Sequence, residues 1–113
     1  MMSCEGVWVV EMKGPYGWER IAIAFLKDGD YLGAGPNHYA VGTYKVDGKN
    51  FEMSVVVTQH GQLRTIFGKK FAGKLQITSK CKIEKDKIIG SSKAKGIKNF
   101  DVLLRLTRID SLE

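Results

Sequence analysis

Cysteine and histidine are scarce, and their scarcity removes several classes of chemistry. Cys4 and Cys81 are the only cysteines, too few and too far apart in sequence for a disulfide framework, so both read as free thiols. The only histidines are His38, in the loop Gly35-Pro36-Asn37-His38, and His60, which follows a strand-like run. There is no CxxC and no HxxxH spacing to hold a metal. Neither histidine has a nearby carboxylate–nucleophile pattern that would suggest acid–base or covalent catalysis. Gly33-Ala34-Gly35 lacks the following helix that a phosphate-binding loop needs and reads as a tight bend or bulge. No apolar run approaches the ~20 residues of a membrane helix. Met1-Met2-Ser3-Cys4-Glu5 has neither the basic start nor the apolar stretch of a signal peptide. The chain is therefore expected to be a cytoplasmic, non-enzymatic protein with no cofactor, no metal and no membrane contact.

What is present is alternation. Lys74, Gln76, Thr78, Lys80 and Lys82 interleave with Leu75, Ile77, Ser79, Cys81 and Ile83, the period of two that marks a half-buried strand. Phe51, Met53, Val55 and Val57 alternate with Glu52, Ser54, Val56 and Thr58, and Phe100, Val102, Leu104 and Leu106 with Asp101, Leu103, Arg105 and Thr107. Asp28-Gly29 and Asp47-Gly48 supply the dipeptide that tight hairpins prefer. Gly14–Gly17, Glu84–Asp86 and Gly96–Asn99 supply further loops. The expected strands cover about 6–13, 19–26, 31–34, 39–46, 50–59, 72–83, 87–95 and 100–109. Only His60–Lys70 breaks the rhythm. Leu63, Ile66 and Phe67 share a helical face there, so a short helical turn ending at Gly68 is expected. Residues 1–111 form one domain, and Leu112-Glu113 reads as a cloning scar.

Strands joined in sequence by short hairpins make an up-and-down antiparallel sheet, and closure into a barrel removes its edges most completely. A barrel of about eight strands is filled by side chains or holds one small ligand. Small inward residues (Ala40, Gly42, Ser79, Gly90, Ser92 and Ala94) either leave a cavity or accommodate bulky neighbours. Trp8, Tyr44, Met53, Val55, Leu75 and Leu104 are the candidates for lining such a pocket; as ordinary core they need no ligand. Trp8 and Arg108 fall on the inward phase of the first and last strands, so closure would let the guanidinium stack on the indole, worth ~0.5–2 kcal/mol.

Two surface features remain. The first two strands are apolar on both faces, and a strand of that kind is usually covered twice. With the inward phase set by Trp8 and Ala22, Val7, Val9, Ile21 and Ile23 become candidates for a homodimer face; a local helix or loop is the alternative cover. Charge is also asymmetric. Residues 1–63 carry five basic and seven acidic side chains, whereas residues 64–113 carry thirteen and five. Lys74, Lys80, Lys82, Lys87, Lys93 and Lys95 point outward on neighbouring strands, but no aromatic residue is interleaved. That disfavours single-strand nucleic-acid binding and favours a solvated face.

The succession Gly6-Val7-Trp8, Lys27-Asp28-Gly29, Gly33-Ala34-Gly35, Tyr39-Ala40-Val41-Gly42-Thr43-Tyr44, Thr58-Gln59-His60, Ile66-Phe67-Gly68, Leu75-Gln76-Ile77 and Leu104-Arg105-Leu106-Thr107-Arg108 resembles the GrlR-type family of small negative regulators of type III secretion. The resemblance covers nearly the whole chain. It implies a lipocalin-like barrel, a homodimer and inhibition of a transcriptional activator by direct binding. The family's regulator engages its partner through an acidic strand-connecting loop. The matching loop here is Val46 followed by Asp47, Gly48, Lys49 and Asn50, with one acid. The alternative function is carriage or sensing of a small hydrophobic ligand inside the barrel.

Overall fold

The computed structural model describes residues 4–14, 17–60, 74–96 and 101–111. Eight strands follow one another: β1 (Gly6–Gly14), β2 (Gly17–Lys27), β3 (Asp30–Ala34), β4 (His38–Asp47), β5 (Asn50–Gln59), β6 (Lys74–Glu84), β7 (Lys87–Ala94) and β8 (Val102–Asp110). Each pairs antiparallel with its neighbours in sequence, and β1 also pairs with β8, so the sheet is a closed up-and-down barrel in the order β1 to β8. Observed boundaries lie within two residues of those expected, except that the expected starts of the sixth and eighth strands, at residues 72–73 and 100, lie outside the described residues. The expected helical turn falls, apart from His60, outside the described residues; among those described there is no helix.

Alternation translates directly into burial. In β6 every second residue from Leu75 to Ile83 is buried and every intervening one exposed. The interior packs Trp8, Phe51, Leu26, Ile88, Leu104 and Leu106, each fully buried, with Val10 and Met12 beside them. Ser79 and Ser92, paired across β6 and β7, are also fully buried, and their hydroxyls hydrogen-bond to each other at 2.7 Å. This satisfies polar groups that would otherwise be costly to bury. Gly42 and Gly90 mark places where the backbone of a neighbouring strand approaches too closely for a side chain. A Cβ on Gly42 would collide with the Ser54 carbonyl, and one on Gly90 with the Lys80 carbonyl, a recurrent reason for glycine within a strand.

Strand β2 departs from the expected phase. The β1–β2 register shifts between Val10 and Glu11: Val10 pairs with Ala22 and Glu11 with Arg20, leaving Ile21 as the extra residue of a bulge. Ile21 is consequently buried in the core cluster, not displayed on the outer face assigned to it. Ala24 and Leu26 continue the inward phase and Ile23 and Phe25 the outward one.

Closure places Trp8 opposite Arg108 in the β1–β8 register. The guanidinium carbon lies 4.8 Å from the indole centroid. Outside the barrel a second cation–aromatic contact spans the same seam, with Arg105 over Trp18 at 4.2 Å and its Nε donating to Glu11 Oε1 at 3.0 Å. Replacing Arg108 with Met, which keeps the aliphatic stem but removes the charge, is expected to lower stability by ~1–2 kcal/mol. Trp8→Ala should cost ~3–5 kcal/mol. Urea unfolding monitored by circular dichroism measures both, and an unchanged midpoint for Arg108→Met would deny the stack a structural role.

Candidate functional site

Up-and-down topology sends alternate connections to opposite ends of the barrel. The β2–β3, β4–β5 and β6–β7 hairpins, each with a two-residue turn, gather at the end where β1 begins and β8 finishes. Here the structure has a cleft of roughly 1310 Å³, lined by Cys4, Glu5, Tyr44, Val46, Ile83 and Thr107 and rimmed by Gly48, Lys49 and Glu84–Lys87. Its walls are largely apolar, whereas its rim mixes Lys49, Lys85 and Lys87 with Glu5, Glu84 and Asp86.

The N-terminal segment is tied across this mouth. The Trp8 indole N–H donates to the Cys4 carbonyl at 2.9 Å, and the Asp28 amide donates to Glu5 Oε2 at 2.9 Å. Arg108 joins the segment to the β6–β7 turn: Nη1 donates to the Glu5 carbonyl at 3.3 Å, Nε stands 3.4 Å from Asp86 Oδ1, and the Arg108 amide donates to the Asp86 carbonyl at 2.9 Å. Tyr44 stacks on Phe51, with ring centroids 5.5 Å apart and planes at 18°.

The proposed pocket residues divide. Trp8, Met53, Val55, Leu75 and Leu104 are members of the packed core, whereas Tyr44 packs against that core and also lines the mouth. Cys4, Val46, Ile83 and Thr107 escaped the sequence reading. The signal available was their position beside the hairpin turns and strand ends that odd–even topology brings to one end. The loop Asp47–Asn50 lies between two depressions. Gly48 and Lys49 line the mouth cleft, while Asp47 and Asn50 border an outer groove of roughly 770 Å³ over β5 to β8. Lys82 Nζ donates to Asn50 Oδ1, and the Ile83 amide donates to the Lys49 carbonyl at 2.8 Å, which pins this hairpin to β6.

The outer wall holds the most extended feature. In register, Val7 faces Phe25, Phe25 faces Leu32, Leu32 faces Val41 and Val41 faces Val56. Phe25, Leu32 and Val41 are 47%, 52% and 51% exposed, respectively, so these neighbours form one apolar band in solvent. A parallel row runs Val9, Ile23, Ala34, Tyr39. Of the dimer-face candidates, Val7 and Ile23 belong to this surface. Val9 is in its outward phase but covered, and Ile21 points to the core. The sequence reading missed Phe25, Leu32, Val41 and Val56.

The histidines sit at the opposite end, where the His60 ring stacks on Tyr39 at 6.1 Å. Among the described residues no three His, Cys, Asp or Glu side chains are grouped to hold a metal ion, and no helix is long and apolar enough to cross a membrane.

Both thiols are buried, and burial pushes their pKa values up, Cys81 to about 12; for Cys4 the nearby Arg108 charge partly opposes the effect. Burial also raises the Tyr31 phenol above its ordinary 10.0. An unfolded thiol releases its proton near 9.0 and folded Cys81 near 12. Between those values the folded state holds the extra proton, so stability is full below the lower value and falls as pH rises. The urea midpoint is expected to drop between about pH 8 and about pH 10.5, with a shallower drop in Cys81→Ala; identical pH slopes in parent and variant would contradict the assignment to this thiol. Compared with known families and characterised proteins, the chain matches no family model and no characterised sequence.

Proposed function

We propose that this barrel is a non-enzymatic interaction protein that acts as a homodimer and sequesters a protein partner. The observation supporting this most strongly is the apolar band from Val7 through Phe25, Leu32 and Val41 to Val56. With Ile23 and Tyr39 it amounts to an exposed apolar patch on the order of 500 Å², the size at which such patches on a monomer are often interaction sites. A standard interface buries about 800 Å² per partner around an apolar centre with a polar rim, and this patch is of the right extent for that centre.

A second copy is the natural occupant. The chain carries a net charge of +6, so self-association favours a neutral surface over the lysine-bearing one. Lys27 and Asp30, paired across β2 and β3 at the edge of the band, offer opposite charges side by side. Under a two-fold axis each could meet its complement. Following the resemblance to GrlR-type regulators, the further partner is a transcriptional activator, engaged through the Asp47–Asn50 hairpin. The mouth cleft favours a second reading, in which a small apolar ligand is held between Tyr44, Val46 and Ile83.

Light scattering on the purified chain is expected to give a dimer mass at micromolar concentration, and Phe25→Glu with Leu32→Glu to give a folded monomer. A monomeric parent would overturn the apolar-face reading. For the cleft, native mass spectrometry of freshly purified protein should reveal a bound small molecule that Val46→Trp diminishes; a consistently bare mass counts against the ligand.

A further inference from the structure

The surface across the barrel from the apolar band has a different order. In the closed sequence of strands, β6 and β7 lie halfway round from β2 and β3. Their outward residues form rungs: Lys95 hydrogen-bonds through its amide to Gln76, Lys93 faces Thr78, Lys80 faces Ser91, and Lys82 faces Ile89. Each of these four lysines is exposed. Each of these four rungs therefore carries one lysine opposite a neutral residue, and no two lysines face each other directly; in the next rung, at the mouth end, Lys87 faces Glu84. Like charges directly opposite would destabilise the sheet, and this arrangement avoids them while keeping a positive charge on every rung. Rungs on one face are ~6.8 Å apart along the strand.

Acidic neighbours offset the row unevenly. Lys80 has Glu52 beside it on β5, whereas the β5 residues paired with Gln76 and Thr78 are Val56 and Ser54. The Lys93–Lys95 end thus has no acid on its β6 and β5 side. The residues between the lysines are aliphatic, amide or hydroxyl, so bases have no aromatic platform on which to stack. An extended polypeptide is different: its side chains on one face recur with the same ~6.8 Å period as the rungs.

We infer that the β6–β7 face is a docking surface for an extended acidic segment of a protein partner, with carboxylates at every second residue set against the lysine rungs. This deepens the interaction reading above by naming the partner's chemistry, and it rests on that reading only for the claim that a protein partner exists. In a dimer joined through the apolar band, the two lysine faces point away from each other, so each copy takes one segment.

Fluorescence anisotropy with the full chain and a labelled peptide of about ten residues alternating Glu and Ser tests this. Saturable binding is expected, weakening as salt rises to about 0.15 M. A peptide of the same composition with its glutamates bunched at one end should bind several-fold more weakly. Lys93→Glu with Lys95→Glu should weaken binding about tenfold or more. If that variant melts early by circular dichroism, Lys93→Gln with Lys95→Gln serves instead, with a smaller loss in the same direction. No binding, or equal affinity for both peptides, would overturn the inference. So would tighter binding of a single-stranded oligonucleotide of equal charge or of phosphatidylserine vesicles. Light scattering on the same variants reports the dimer separately, so failure at this face is told apart from failure at the apolar one.

Discussion

The barrel depends on the seam between β1 and β8, which joins residues about a hundred positions apart in the chain. Antiparallel hairpins form between neighbours at low entropic cost, but this last pairing must close the largest loop, and loop closure is unfavourable until contacts repay it. The contacts that repay it are concentrated. Trp8 buries an indole completely, Arg108 caps it from the other strand, and Arg105 repeats the arrangement on the outside with Trp18 and Glu11. Arg108 also binds the N-terminal segment to the β6–β7 turn, so closure of the sheet and construction of the mouth are one event.

Because that seam closes the sheet, the two sides of every strand acquire separate roles. Inward positions fill the interior with Phe51, Ile88, Leu104 and Leu106, and Ser79 and Ser92 satisfy each other there. Outward positions divide round the circumference into an apolar band over β1 to β5 and a lysine ladder over β6 and β7. On the proposed reading, this partition keeps self-association and partner binding apart, because apolar burial would supply affinity on one side and charge would supply orientation and encounter rate on the other. The third region, the mouth, is built from hairpin turns and strand ends, where the chain is least constrained by the ladder.

Much of this architecture was legible in the residues. Lys74 to Ile83 displays its two faces without interruption, Asp28-Gly29 and Asp47-Gly48 mark hairpins where hairpins occur, and the inward phases of Trp8 and Arg108 predicted their meeting. The errors arose where phase was ambiguous. Ile21 sits in a segment apolar on both sides, Ile21-Ala22-Ile23-Ala24, and nothing in such a run reveals which residue a bulge will turn inward. Met53, Val55, Leu75 and Leu104 were open to two readings, pocket wall or ordinary core, because the same composition serves both, and they lie in the packed interior.

Alternation and turn chemistry are local properties, and they were enough to specify eight strands, their order and, outside the doubly apolar β1 and β2, the sense in which each presents its faces. Adjacency is not local. That Phe25, Leu32, Val41 and Val56 touch in a row, that Cys4 shares a cleft with Ile83 and Thr107, and that the lysines of β6 and β7 fall on separate rungs all follow from register. Register is set by how strands far apart in the chain settle against one another, and a shift of one residue exchanges the inner and outer faces of a strand. The tertiary structure therefore decided which of the exposed and apolar residues became surfaces, because only packing of the whole barrel selects one register among those the local pattern permits.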